Sequence, residues 1–206
     1  MTIKKRVGVL ISGRGSNLQA LIDAAETGRL GGEIAVVISN VEAAQGLERA
    51  RAARIPTLVC DHRGRAREEF DLELAGMLTR HDVGLVCLAG FMRLLSGSFV
   101  RAFAGRVLNV HPSLLPAFPG RHAQRQAFEH GVKLTGATVH LVDDGLDSGP
   151  IVMQEAVPVL STDDVESLAS RILAAEHRIY PRAVALLLAG RYQLEGRRIV
   201  FEGTAG

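Results

Sequence analysis

Apolar runs of strand length alternate with stretches of helical periodicity through the first half of the chain, and this alternation restricts the fold more than any other feature. Arg6 to Ser12 is a compact apolar run that ends in Gly13 and Gly15, and Asn17 to Thr27 then places Leu18, Leu21, Ile22 and Ala25 at helical spacing. The pattern predicts strand, tight turn, helix. It recurs with strands at Ile34 to Ser39 and Thr57 to Cys60 and helices at Gly46 to Ala53 and Arg65 to Arg80. Val83 to Ala89 and Arg106 to Val110 add two buried strands. Such alternation implies an open α/β fold: a mostly parallel sheet with helices on both faces.

The second half changes character. Leu134 to Val142 alternates, with Ala137, Val139 and Leu141 facing one way and Gly136, Thr138 and His140 the other, and Ile151 to Val157 follows after a turn. This predicts an antiparallel or mixed edge. Asp163 to Leu188 reads as a helix with a bend at Pro181 and an apolar stripe through Leu168, Ile172, Ala175 and Ile179. Arg191 to Leu194 and Arg198 to Phe201 read as a terminal hairpin.

With 206 residues the chain has room for one well-buried domain, or one domain with a small appendage. Its formal charge of +2, with bases scattered among acids, lacks the footprint of a nucleic-acid binder. No segment approaches the ~20 apolar residues of a membrane span. Cys60 and Cys87 lie in apolar runs without metal-ligand spacing and read as reduced core residues. The expected setting is cytoplasmic, with small molecules rather than nucleic acid or membrane as partners.

The first strand-to-helix turn carries Ser12, Gly13, Arg14, Gly15, Ser16 and Asn17. Free amides at a helix start favour an anion through hydrogen bonds and dipole. Two readings stand: a tight turn with Ser16 or Asn17 as helix cap, or a site for one phosphate group. A dinucleotide fingerprint fits poorly, because Leu18 takes the place of its third glycine and no acid closes the second strand at Ile38, Ser39, Asn40.

Asn109 and His111 lie two apart on an extended segment, so the pleat sends both side chains to one side. Pro112 and Pro116 stiffen the exit, and Asp147 follows within Leu146 to Pro150. An amide donor, an imidazole and an acid that holds it charged suit oxyanion stabilisation and proton transfer at a carbonyl carbon. Ser113 lacks the glycine-flanked elbow of a serine hydrolase, which argues against a covalent intermediate.

Taken together, the Ser12 to Asn17 turn, Leu88 to Leu95 (LAGFMRLL), Asn109 to Pro116 (NVHPSLLP), Pro119 to His122, Leu146 to Pro150 (LDSGP) and Glu176 to Pro181 (EHRIYP) resemble the folate-dependent phosphoribosylglycinamide formyltransferases of purine synthesis. The resemblance covers nearly the whole chain. It implies a single domain of the formyltransferase-type Rossmann-like fold over 1–206, with a nucleotide-phosphate half at about 1–100 and a folate and catalytic half at about 85–190.

The same resemblance implies roles. Asn109, His111 and Asp147 match the catalytic set. Gly15, Ser16 and Asn17 match the segment near the nucleotide phosphate, and Glu176 the acid on its ribose hydroxyls. Met92, Arg93, Leu94 and Leu95 match the wall of the folate pocket, and Val142 to Asp147 the loop that closes on the pterin. Arg67 aligns with an arginine near the folate's acidic tail, though a solvated helix face explains it equally. His140 falls at a second active-site histidine, or is structural. The implied reaction moves a formyl group from 10-formyltetrahydrofolate, a co-substrate, to the amine of glycinamide ribonucleotide. It calls for no metal. A proton must pass from the attacking amine to N10 through Asp147, water or the histidine.

Methionyl-tRNA formyltransferase and formyltetrahydrofolate deformylase share the Asn109 to Pro116 stretch. The first carries an extra C-terminal nucleic-acid-binding domain and the second an N-terminal regulatory domain, neither of which is expected here. A non-catalytic nucleotide-binding module would leave the Asn109, His111 and Asp147 set unexplained. The sequence leaves monomer and homodimer both open.

Overall fold

Strands and helices alternate as the apolar pattern requires in this computed structural model, which describes residues 3–201. β1 (Arg6–Ile11), α1 (Ser16–Glu26), β2 (Glu33–Ser39), α2 (Gln45–Ala52), β3 (Thr57–Val59), α3 (Arg67–Arg80), β4 (Leu85–Leu88), α4 (Gly97–Ala102) and β5 (Val107–His111) make the first part. α5 (Ala123–Glu129), β6 (Leu134–Leu141), β7 (Ile151–Pro158), α6 (Val165–Ala189) and the hairpin of β8 (Tyr192–Glu195) and β9 (Arg198–Phe201) make the second.

All the strands join one sheet in the order β3-β2-β1-β4-β5-β6-β7-β9-β8. From β3 to β5 every pairing is parallel. β6 then runs antiparallel to both β5 and β7. The second half is thus the antiparallel and mixed edge of the sheet that its alternation predicts, and the hairpin extends it, with Ile151 of β7 paired to Arg198 of β9, which leaves β6 interior. Interior position also explains why the polar side of β6 is dry. Thr138 and His140 are as buried as Val139 beside them.

Two apolar clusters cover the two faces. One joins β1, β6 and the helices α1 and α6; the other packs Phe70, Leu74 and Leu78 of α3 against Leu10, Ile38 and Val86. α6 starts at a capping box in which Asp164 accepts the Ser167 amide at 2.7 Å and Ser167 Oγ accepts the Asp164 amide at 3.0 Å. Its expected stripe is buried, and the helix continues through Pro181 to Gly190. Tyr180 on the same helix is buried, and its hydroxyl lies 3.0 Å from the Leu88 carbonyl oxygen and 3.1 Å from that of Leu108, which pins α6 across β4 and β5.

The free thiols sit in the core as expected. Burial pushes Cys60 up to about 11 and Cys87 up to about 12. The short helices α4 and α5 were not expected. α4 has only six residues and opens on a glycine, and α5 follows His122 in a left-handed conformation, so neither offers a long periodic stretch.

Candidate active site

The chemistry gathers at the carboxyl ends of β1, β4 and β5, where an open parallel sheet leaves a crevice. Asn109 and His111 project from the last turn of the pleat in β5. The antiparallel register sets His140 of β6 directly opposite Asn109. Asp147 arrives from the β6–β7 loop with φ 49, a left-handed conformation that Asp and Asn tolerate better than most side chains.

These four side chains meet. His111 Nδ1 stands 3.3 Å from Asp147 Oδ2, and His140 Nε2 stands 3.7 Å from Asp147 Oδ1. Asn109 Nδ2 lies 3.2 Å from His140 Nε2. Two backbone groups from the segment after β5 complete the arrangement. The Phe118 carbonyl oxygen lies 2.8 Å from His111 Nε2, and the Gly120 amide donates to Asp147 Oδ2 at 2.8 Å. Both belong to backbone, whose placement no side-chain pattern announces, and sequence reading missed them.

The tautomer of His140 follows from its neighbours. Its Nδ1 lies 2.9 Å from the Leu141 carbonyl oxygen, which only accepts, so the proton sits on Nδ1. Burial holds the imidazole below its ordinary range, although the Leu141 carbonyl and the charge of Asp147 pull the other way. The neutral ring then offers a lone pair at Nε2, which accepts one N–H of the Asn109 amide. The second N–H of that amide remains for a ligand.

Beside the quartet lies a cleft of about 120 Å³. Asn109, His140 and Asp147 form its polar end, while Phe91, Leu94, Leu95 and Val142 supply apolar wall and Arg93 borders it. Its lining sets hydrogen-bonding side chains beside apolar wall. Met92 does not border it: the side chain is exposed, and its amide donates to Ser12 Oγ at 2.8 Å. Arg67, at the start of α3, is exposed and outside the lining, so the structure does not bring it into this cleft. Among the described residues no group of three or more His, Cys, Asp or Glu side chains is arranged to hold a metal ion.

The glycine turn sits next to the same crevice. Its N-cap is Gly15 at φ 72, with no side chain capping the helix, so of the two readings of this turn the Ser16 or Asn17 cap is the one that does not form. The first amides of α1 are left without a side-chain cap, as an anion site requires. Gly15 is compelled twice over: its φ is left-handed, and a Cβ there would stand 2.6 Å from the Gly46 Cα. Asn17 turns inward, and its Nδ2 donates to Glu176 Oε2 at 2.6 Å. Burial pushes the Glu176 carboxyl up to about 7 against the lowering effect of that bond. Asn17 Oδ1 is buried without a partner, an acceptor suited to a ligand hydroxyl. A larger cavity, of about 740 Å³, runs between α1 and α6; it meets the turn only at Ser16, and none of the quartet borders it.

Comparison with known proteins adds independent findings. The family model described as formyl transferase matches residues 5–184. The trifunctional purine biosynthetic protein adenosine-3 of Drosophila melanogaster is 54% identical over 190 residues, covering 91% of this chain. This chain spans only 14% of that relative's length. A phosphoribosylglycinamide formyltransferase of Escherichia coli (strain K12) is 44% identical over 205 residues, covering 96% of this chain and 97% of that protein. The crystal structure of glycinamide ribonucleotide transformylase 1 from Symbiobacterium toebii superposes with a TM-score of 0.93 at 56% identity, covering 95% of this chain and 93% of that one.

Proposed function

The chain belongs to the formyl transferase family, and we propose that it transfers the formyl group of 10-formyltetrahydrofolate to the amine of glycinamide ribonucleotide in purine synthesis. The observation that carries this reading is the meeting of Asn109, His111, His140 and Asp147 beside a cleft, with Met92, next to the cleft-lining Arg93, hydrogen-bonded to Ser12 just ahead of a glycine turn that opens a helix without a side-chain cap. One end suits a monophosphate and the other a carbonyl under attack.

In this reading the nucleotide phosphate lies on the amides of Gly15, Ser16 and Asn17, and its ribose hydroxyls lie against Glu176 and the free Oδ1 of Asn17. The pterin occupies the cleft along Arg93, Leu94, Leu95 and Val142. Met92 contributes through its backbone position. Arg67 serves the acidic tail of the folate from outside the cleft.

Attack of the amine on the formyl carbon builds negative charge on the formyl oxygen. The unused N–H of Asn109 donates to that oxyanion, a contact of a kind worth ~3 kcal/mol elsewhere. His111 has both nitrogens near oxygens, those of Phe118 and Asp147, so its contribution is the positive charge it carries beside the carbonyl. Asp147 balances that charge and stands ready to take the proton of the attacking amine, directly or through water, for delivery to N10. A reducing cytoplasm suits the two buried thiols.

Purified protein given both substrates should release tetrahydrofolate in step with formylated ribonucleotide. Release of free formate without formylated product would favour a deformylase, and formylation of methionyl-tRNA would favour the other family branch.

A further inference from the structure

Ser12 joins two segments that are 80 residues apart in sequence. Its backbone N–H donates to the Gly90 carbonyl oxygen at 3.2 Å, and its Oγ accepts the Met92 N–H at 2.8 Å. The hydroxyl has one proton, and that proton goes to Asn40 Oδ1 at 2.6 Å. Lone pairs, not the proton, therefore face Met92. Asn40 is itself fixed at the end of β2: it is 4% exposed, and His62 Nδ1 lies 3.1 Å from both its Nδ2 and its carbonyl oxygen.

On one side of Ser12 the chain runs straight into the glycine turn. On the other side, Met92 leads into Arg93, Leu94 and Leu95, which border the cleft. We infer that the Ser12 hydroxyl, oriented by Asn40, is a positioning group that couples the nucleotide site to the folate site. An anion on the turn holds Ser12, and with it the Met92 amide, in this arrangement, so the second ligand meets a segment already in place. Linkage makes the effect equal in both directions. The inference rests on the formyl-transfer reading, because that reading assigns one ligand to each side of the bridge.

Calorimetric titration with glycinamide ribonucleotide, alone and in saturating tetrahydrofolate, tests it without turnover, since the latter carries no formyl group. The reverse titration gives the reciprocal factor. Each ligand should tighten the other by about fivefold, the worth of one hydrogen bond. Ser12→Ala should bring the factor near one, and Asn40→Ala should lower it too by freeing the hydroxyl. Ser12→Thr, which keeps the hydroxyl, should preserve it. A factor that survives Ser12→Ala in a protein with an unchanged unfolding midpoint, or a factor of one in the unmodified protein, overturns the inference alone. Failure of the unmodified protein to bind either ligand overturns the formyl-transfer reading and the inference with it.

Discussion

His111 Nδ1 stands 3.3 Å from Asp147 Oδ2, while the other nitrogen of the ring lies 2.8 Å from the Phe118 carbonyl oxygen. Both of those oxygens accept and neither donates. Asp147→Asn removes the carboxylate from beside the ring. Asparagine tolerates φ 49 as aspartate does, and its Oδ1 can still accept the Gly120 amide. Single-turnover formyl transfer should slow by at least ~100-fold, with both ligands still bound in titrations. Near-normal chemistry across neutral pH would remove Asp147 from its role.

The glycine turn gives a second prediction. Gly15 touches Gly46 at the start of α2, whose amide donates to the Gly13 carbonyl oxygen at 3.0 Å. A methyl at Gly15 meets backbone, whereas one at Gly46 meets Ile11 Cδ1 first, the far end of a flexible side chain. Gly15→Ala should therefore cost ~2 kcal/mol and lower the unfolding midpoint by roughly 4–8 °C, and Gly46→Ala should cost less. Nucleotide affinity should fall more than tetrahydrofolate affinity. Equal losses for both ligands would count against the turn as the phosphate site.

What the sequence made legible follows the range of each interaction. Alternating apolar runs gave the parallel half of the sheet, because the burial that shapes it repeats locally along the chain. The pairing of Asn109 with His140 was half visible: alternation put His140 on the polar side of its strand, but only the β5–β6 register brings the two face to face. The buried state of Glu176 was hidden, since a helix acid reads as solvated until Asn17 packs over it. Phe118 and Gly120 act through backbone groups, and although Gly120 stands in the matching segment Pro119 to His122, no role could be read for either.

Glu176 carries a prediction about stability. Its carboxyl titrates at about 7 in the fold and near 4.5 when exposed, so the folded state binds the extra proton between those values. Its stabilising contribution is complete below about 4.5 and is lost as pH rises through 7. Glu176→Gln, which stays neutral, should remove that slope and exceed the unmodified protein in stability above neutrality, by on the order of 3 kcal/mol at most. Urea midpoints between acid and mildly alkaline pH would measure it. A gap between the two proteins that fails to widen as pH rises would contradict the buried, proton-binding carboxyl. If Glu176 holds the ribose hydroxyls as proposed, nucleotide affinity should meanwhile drop in the variant, where an amide replaces the carboxylate.

His140 makes the opposite case. Its imidazole is held below the ordinary 6.5, so on acidification the unfolded chain takes the proton first and stability falls as pH drops below that value. The same neutral ring accepts from Asn109, which fixes the amide with nitrogen toward His140 and its spare N–H toward the cleft. His140→Phe removes the acceptor and frees the amide to turn. His140→Gln keeps an oxygen that can accept and does not titrate in this range. The phenylalanine variant should lose about tenfold in kcat, roughly the worth of one hydrogen bond to a developing charge, with little change in KM for either substrate. The glutamine variant should recover much of that loss and show a shallower decline of stability in acid. Nitrogen chemical shifts of His140 in the resting enzyme, with a proton on Nδ1 and a lone pair on Nε2 at neutral pH, would establish the tautomer directly; a proton on Nε2 would reverse the direction of the Asn109 bond and with it the assignment of the oxyanion donor.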